Sequence, residues 1–398
     1  MTSSTTPTLA TASLSDSWRR PPGTTRERQS PIGDARPART VQRPRSPATQ
    51  ISCRDAGGTV HIVLTGAAGM LGTALLDRPW PGVTWTAVDL RPPRDATGYV
   101  HADVRDTDRL ARVLRGADVV VHTAAALPSH RSAEIRSVDV DGTRSVVEAV
   151  RRAGVSRLVH ISSTAVYGLP RYCPTPEDYP RVPVDAYSSA KLAAESIVEQ
   201  ARRDGLCAPI LRPKTFLGRE RLGIFAMLFE WADEGRHFPL IGGGRAVTQM
   251  LDVGDLCDAV RLVCEGPDDT VDDTFNIGAA EYGPLRDDFQ AVLDAAGHGK
   301  RIISIPVGPA VAGLRTLAAL RLSPVYARLV HKLVRDSYVS IDKAVDRLGY
   351  APKVSGRDSL LATYDWWRRE AAPVRRTTGR THRDPWRQGA LRLAKALF

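Results

Sequence analysis

Cysteine is scarce in this chain and never arranged for bonding. The 398 residues hold five, Cys53, Cys173, Cys207, Cys257 and Cys264, scattered and never spaced as C-x-x-C. Neither a disulfide framework nor a metal site is expected, and a reducing, cytoplasmic setting follows. Long hydrophobic runs are missing too. No apolar stretch reaches the roughly 18–20 residues of a membrane span, and residues 1–58 lack the apolar core of a secretory signal. Acidic residues are short only at the ends. Residues 1–58 carry +5 and residues 368–398 carry +7, against +11 for the whole chain, so the body from 59 to 367 is close to neutral at about −1. The basic balance belongs to the tails, which argues against a nucleic-acid-binding body.

The first tail is rich in Arg, Pro, Ser and Thr. It faintly resembles an organelle transit peptide, but its prolines oppose an amphipathic helix. A disordered extension, or translation from an early start codon, is the expectation for 1–58. In the second tail, Arg387, Arg392 and Lys395 would lie on one side of a helix, and Ala390, Leu393, Ala394 and Leu397 on the other. That pattern suits a membrane-surface helix. The plainer reading, taken here, is a frayed terminus or an oligomer contact.

What the chain does have is organised around Val60–Gly72. Val60, Ile62, Val63 and Leu64 read as a strand buried on both faces. Gly66, Gly69 and Gly72 follow in steps of three, and the intervening Ala68, Met70 and Leu71 open a helix to about Asp77. Tight turning, close approach to a pyrophosphate and helix–strand packing each call for a missing Cβ, and the helix start would face the phosphates. A second strand, Val83–Val88, ends at Asp89. A carboxylate there can accept from both hydroxyls of an adenosine ribose. It would repel a 2′-phosphate by roughly 1–4 kcal/mol at about 4 Å, which favours NAD over NADP, with Arg91 softening the preference.

A strand at Tyr99–Ala102 runs into Asp103-Val104, and Asp106–Leu114 reads as a helix. The valine run Asp118–His122 leads into Thr123, Ala124 and Ala125, small residues that let a flat ligand pass close to a strand end. The pattern predicts one helix over Ile135–Ala153, then a strand at Arg157–Ile161 running into Ser162 and Ser163. Strand and helix alternating in this way predict an α/β, doubly wound parallel sheet of Rossmann type.

Tyr187 and Lys191 stand four apart, on one face of the next helix. Free tyrosine ionises near pH 10, and a nearby ammonium favours the phenolate. Tyr187 would pass the hydroxyl proton of a substrate while a hydride moves to or from nicotinamide. Ser163 would hold the same oxygen, and Lys191 would also bind the nicotinamide ribose.

Together these motifs resemble the extended short-chain dehydrogenase/reductases of the NAD-dependent epimerase/dehydratase family: T-G-x-x-G-x-x-G at Thr65–Gly72, D-V at Asp103, H-x-A-A at His122, S-S-x-x-V-Y-G at Ser162 and Y-x-x-x-K at Tyr187. The resemblance covers residues 60 to about 367. It implies an NAD(P)-binding core (about 60–212 plus 247–280), a smaller substrate lobe (about 213–246 plus 281–350), adenine contact by Asp103 and Val104, catalysis by Ser163, Tyr187 and Lys191, and a homodimer through the helices that include Tyr187.

Departures narrow the reading. The family's sugar-nucleotide dehydratases carry an Asp-Glu pair where Thr164 and Ala165 stand here. Its epimerases usually carry an Asn where Thr215 stands and an Arg where Thr248 stands, with Lys214 and Arg245 the cations available instead. Asp139 replaces the usual Asn of the helix motif. Pro306–Leu322 and Tyr326–Val334 are apolar and helix-like: core of the small lobe, or a lid over an apolar pocket. The expectation is an oxidoreductase acting on a small-molecule secondary alcohol or ketone. A sugar epimerase with recycled cofactor and a non-catalytic NAD-binding scaffold are the alternatives.

Overall fold

The computed structural model describes residues 59–94, 98–219, 225–310 and 334–371. Both tails, and most of the two apolar segments between 306 and 334, lie outside these residues. The strands are β1 (Val60–Thr65), β2 (Val83–Asp89), β3 (Tyr99–His101), β4 (Val119–His122), β5 (Arg157–Ile161), β6 (Ile210–Pro213), β7 (Phe216–Leu217), β8 (Phe238–Ile241), β9 (Val247–Thr248), β10 (Leu251–Asp252), β11 (Thr274–Ile277), β12 (Gly283–Pro284) and β13 (Ile302–Ile305). Seven form one parallel sheet in the order β3-β2-β1-β4-β5-β6-β11. The remaining short strands pair as β7 with β10, β8 with β13, and β9 with β12.

The β-branched, charge-poor strands suit a sheet covered on both sides. Successive side chains point to opposite faces. Ile62, Leu64, Val119, Val121 and Val159 enter one core with Leu71 and Leu75 of α1 (Met70–Leu76). Val63, Val120 and Leu158 enter the other, with Leu110 of α2 (Thr107–Val113), Val146 and Val150 of α4 (Gly142–Ala153), and Val198 of α5 (Ala186–Arg203). A third core gathers Phe225, Trp231, Phe238, Phe289, Tyr364 and Trp367 away from the sheet. Cys207 and Cys257 pack in the sheet core, where burial pushes their thiols up to about 12, so they are unreactive packing residues. Among the described residues no helix is long and apolar enough to cross a membrane.

The single helix expected over 135–153 is a correction. A short α3 (Ser132–Ile135) passes into a π-helical stretch, Arg136–Asp141, before α4 begins. The wider turn brings Asp139 and Val140 inward. Two hydrogen bonds hold it: Ala126 N–H donates to Asp139 Oδ1 (2.7 Å), and the Thr143 hydroxyl donates to the Asp139 carbonyl (2.7 Å). Such bulges inside helices often mark functional sites.

α5 is started by a capping box, Asp185 with Ser188. It is fixed to the sheet by a buried ion pair. Arg212 at the end of β6 grips Glu195 of α5 through two bonds of 2.8 Å, with the pair's side chains 3% and 0% exposed. Arg212 also donates to the Tyr167 hydroxyl (2.8 Å), which donates to Asn276 of β11 (2.8 Å). Burial alone would raise the Glu195 carboxyl, but the hydrogen bonds and charge of Arg212 hold it below its ordinary value. Removing one partner of such a pair costs about 3–5 kcal/mol.

Arg212→Ala is therefore expected to lose about that much stability in urea unfolding. Because the folded-state value of Glu195 is depressed, its contribution is present above the ordinary carboxylate range and fades as pH falls through it. The Tm gap between wild type and Glu195→Gln should be largest near neutral pH and narrow in acid.

Candidate active site

The glycine turn follows from where β1 ends. Gly66 has φ +77°, and a Cβ there would lie 2.5 Å from the Ala124 nitrogen. A Cβ on Gly72 would lie 2.4 Å from the Gly66 carbonyl. Both positions exclude any other residue, the first by conformation and contact, the second by packing of α1 on the turn. Asp89 closes over the turn from the tip of β2. Its Oδ2 accepts from Ala68 N–H and its Oδ1 from Arg91 N–H, both at 3.0 Å.

A cleft of about 330 Å³ opens at the carboxyl ends of the strands. Gly66, Ala68, Gly69, Met70 and Leu71 line one part of it, and Asp89, Asp103 and Val104 another. Thr123, Ala124, Ala125, Tyr187 and Lys191 complete the set expected from sequence. Two expected residues are not on its wall. Gly72 is buried behind the turn, and Ser163 caps the following 3₁₀ turn, its Oγ accepting from Ala165 N–H at 3.1 Å. Ser162 lines the cleft instead, with Arg105, Leu127, His130 and Phe216. Arg105 was detectable two residues after Asp103, whose carboxylate it pairs and holds below the ordinary range. Phe216 lies on a two-residue strand with no periodic signal.

Lys191 is 3% exposed. Its Nζ donates to the Ile161 carbonyl at the end of β5 (3.2 Å) and stands 6.0 Å from the Tyr187 ring centre. His122 sits beneath, bonded through Nδ1 to Thr65 Oγ1 (2.7 Å) and through Nε2 to Thr143 Oγ1 (3.2 Å). The Thr143 proton is already given to Asp139, so His122 must donate from Nε2 and accept at Nδ1. Burial, with the Lys191 charge, pushes His122 down to about 3. His160, its ring 5.5 Å away, is pushed well below its ordinary value by burial, then by His122 and Lys191. Both rings are neutral and structural.

The two cations that could meet a diphosphate are placed differently. Lys214 is buried, its Nζ donating to the Ser337 carbonyl (2.8 Å) and hydroxyl (2.9 Å). Arg245 is exposed after the glycine run 242–244. Thr248 lies in β9, bridged to Ser337.

A parallel seven-strand sheet with helices on both faces and a glycine turn after its first strand define a Rossmann-type fold. The profile of the NAD dependent epimerase/dehydratase family matches residues 62–278, and the chain belongs to that family. A 3 beta-hydroxysteroid dehydrogenase/Delta 5-->4-isomerase of Mycobacterium tuberculosis is 30% identical, over 75% of this chain and 88% of its own. A 4-hydroxy-2-methyl-3-oxo-4-farnesyl-3,4-dihydroquinoline-1-oxide ketoreductase of Stigmatella aurantiaca is 29% identical, over 67% of this chain and 81% of its own. Among solved structures, the UDP-glucose 4-epimerase of Thermotoga maritima superposes with a TM-score of 0.65 at 23% identity, over 78% of this chain and 99% of its own.

Gly66→Ala should be destabilised by more than about 2 kcal/mol, since it combines a strained φ with a backbone clash. Chemical denaturation against wild type measures it.

Proposed function

We propose that this chain is an NAD-dependent oxidoreductase acting on a secondary alcohol or ketone carried on a largely apolar molecule. The observation that carries the reading is the meeting, in one cleft, of the glycine turn with Tyr187 and Lys191. NAD fits the residues present: Gly66 and Gly69 line the cleft with backbone alone, and Asp89 stands beside them at the tip of β2. Bound nicotinamide would supply the hydride acceptor or donor. Gly66, Ala68, Gly69, Met70 and Leu71 would carry the pyrophosphate, with Gly72 packing α1 behind them. Asp89 would accept from the ribose, Asp103 and Val104 would flank the adenine, and Thr123, Ala124 and Ala125 would lie under the dinucleotide.

Tyr187 would take the proton of the substrate hydroxyl as hydride leaves its carbon, and return it in reduction. Lys191, tethered to Ile161, would set its charge beside the Tyr187 ring and hold the nicotinamide ribose. Ser163, which accepts through its Oγ from Ala165 N–H, retains its own hydroxyl proton to give to the substrate oxygen. The sheet core, about 60–212 with 247–280, would bind NAD, and about 213–246 with 281–350 would bind substrate.

Several observations support an apolar substrate. Thr164 and Ala165 cannot do the acid–base work of dehydration. The cation of Lys214 is committed to Ser337, and Thr248 offers no charge. The steroid dehydrogenase and the farnesyl-quinoline ketoreductase act, by their names, on alcohols or ketones of that kind.

The test is titration of purified protein with NAD and NADP, followed by a screen of hydrophobic secondary alcohols and ketones. NAD should bind tighter than NADP. Tyr187→Phe should keep NAD affinity but lose turnover by about 10²–10⁴-fold. Turnover within a few-fold of wild type would refute the assignment.

A further inference from the structure

The four N–H groups of the glycine turn, residues 66–69, each meet an acceptor, and three of those acceptors are backbone. Gly66 and Ala67 donate to the Val88 carbonyl (2.9 and 3.3 Å), and Gly69 donates to the Gly66 carbonyl (3.0 Å). Ala68 donates to a side chain, the Asp89 carboxylate, at 3.0 Å. Its bond is therefore the one in the turn that a substitution elsewhere can remove. Ala68 is 3% exposed, and a buried N–H left without an acceptor is costly.

Asp89 is itself held from behind. Its backbone carbonyl accepts from Ala102 N–H and from the Tyr99 hydroxyl, both at 3.3 Å, where β2 pairs with β3. Its second carboxylate oxygen takes the Arg91 N–H at 3.0 Å. An ionised carboxylate offers about four acceptor positions. Ala68 and Arg91 fill one on each oxygen. One on each oxygen is left, as many as the two hydroxyls of a ribose need. The same carboxylate can thus hold the turn and a sugar at once.

We propose that Asp89 is a positioning residue as well as a ribose ligand: its carboxylate braces the glycine turn in the shape that receives a pyrophosphate. Recognition at the two places is then coupled. A 2′-phosphate that pushes the carboxylate aside also takes the acceptor from Ala68, so NADP is disfavoured at the turn as well as at the ribose. The ligand half of this rests on the cofactor role proposed above; the brace itself does not.

A nucleotide without ribose hydroxyls separates the two roles, because Asp89 then has nothing to hold on the sugar. The probe is 2′,3′-dideoxyADP, titrated calorimetrically into the full chain. Asp89→Ala should bind it about fivefold or more weaker than wild type, while Asp89→Asn, which keeps an oxygen for Ala68, should stay within about twofold. A carboxylate that only holds ribose predicts the opposite for Asp89→Ala. Binding would be unchanged, or tighter because a negative charge near the diphosphate is gone. That result would overturn the brace, and so would an Asp89→Asn protein as weak as Asp89→Ala.

Ligand-free wild type gives a reading that needs no variant. Residue-resolved hydrogen exchange should show the Ala68 amide slowed by about 100-fold or more from the free-peptide rate. Exchange at the free-peptide rate would contradict the brace. This measurement decides the brace even where Asp89→Ala does not fold. It also decides it where wild type binds neither ADP nor its dideoxy form, an outcome that would count against the cofactor role alone.

Discussion

The grip of Arg212 on Glu195 is the constraint on which the candidate site depends. It joins the end of β6 to the middle of α5, and through Tyr167 and Asn276 it reaches the turn after β5 and the edge strand β11. Tyr187 and Lys191 lie on the same helix, two turns and one turn before Glu195. Their position over the strand ends is therefore set by a contact made elsewhere along α5. A buried pair with both carboxylate oxygens engaged fixes rotation as well as distance, which a greasy contact alone would leave looser.

A second line of polar contacts runs under the cleft. Thr65, His122, Thr143 and the Asp139 carbonyl form a directed chain in which each proton has one recipient. It links the residue before the glycine turn to the π-helical stretch. The neutral tautomer of His122 makes this possible, since a second ring proton would meet the Thr65 oxygen with a donor where an acceptor is required.

Much of the fold was legible from residue pattern. The β-branched runs at 60–65, 119–122 and 157–161 gave their strands because each buries both faces, and Asp89 fell at a strand tip as expected. Steric need made Gly66 and Gly72 readable, and spacing made Tyr187 and Lys191 readable. The π-helical turn was not, because a run with apolar residues at helical spacing looks the same whether or not one turn is widened. Nor could sequence show that Ser162 faces the cleft while Ser163 caps a turn, since adjacent serines differ only in backbone direction. The Arg212–Glu195 and Lys214–Ser337 contacts join residues far apart in the chain, and no local signal couples them.

The most direct test of hydride transfer with net turnover is the fate of nicotinamide on the purified protein. The protein would be incubated with isotopically labelled NAD, gel-filtered, and the bound dinucleotide analysed. A dehydrogenase or reductase must release its cofactor in each cycle, so NAD that exchanges completely with the label is the predicted result. Native nicotinamide that co-purifies and resists exchange would contradict it, and would indicate an enzyme that takes a hydride and returns it to the same substrate.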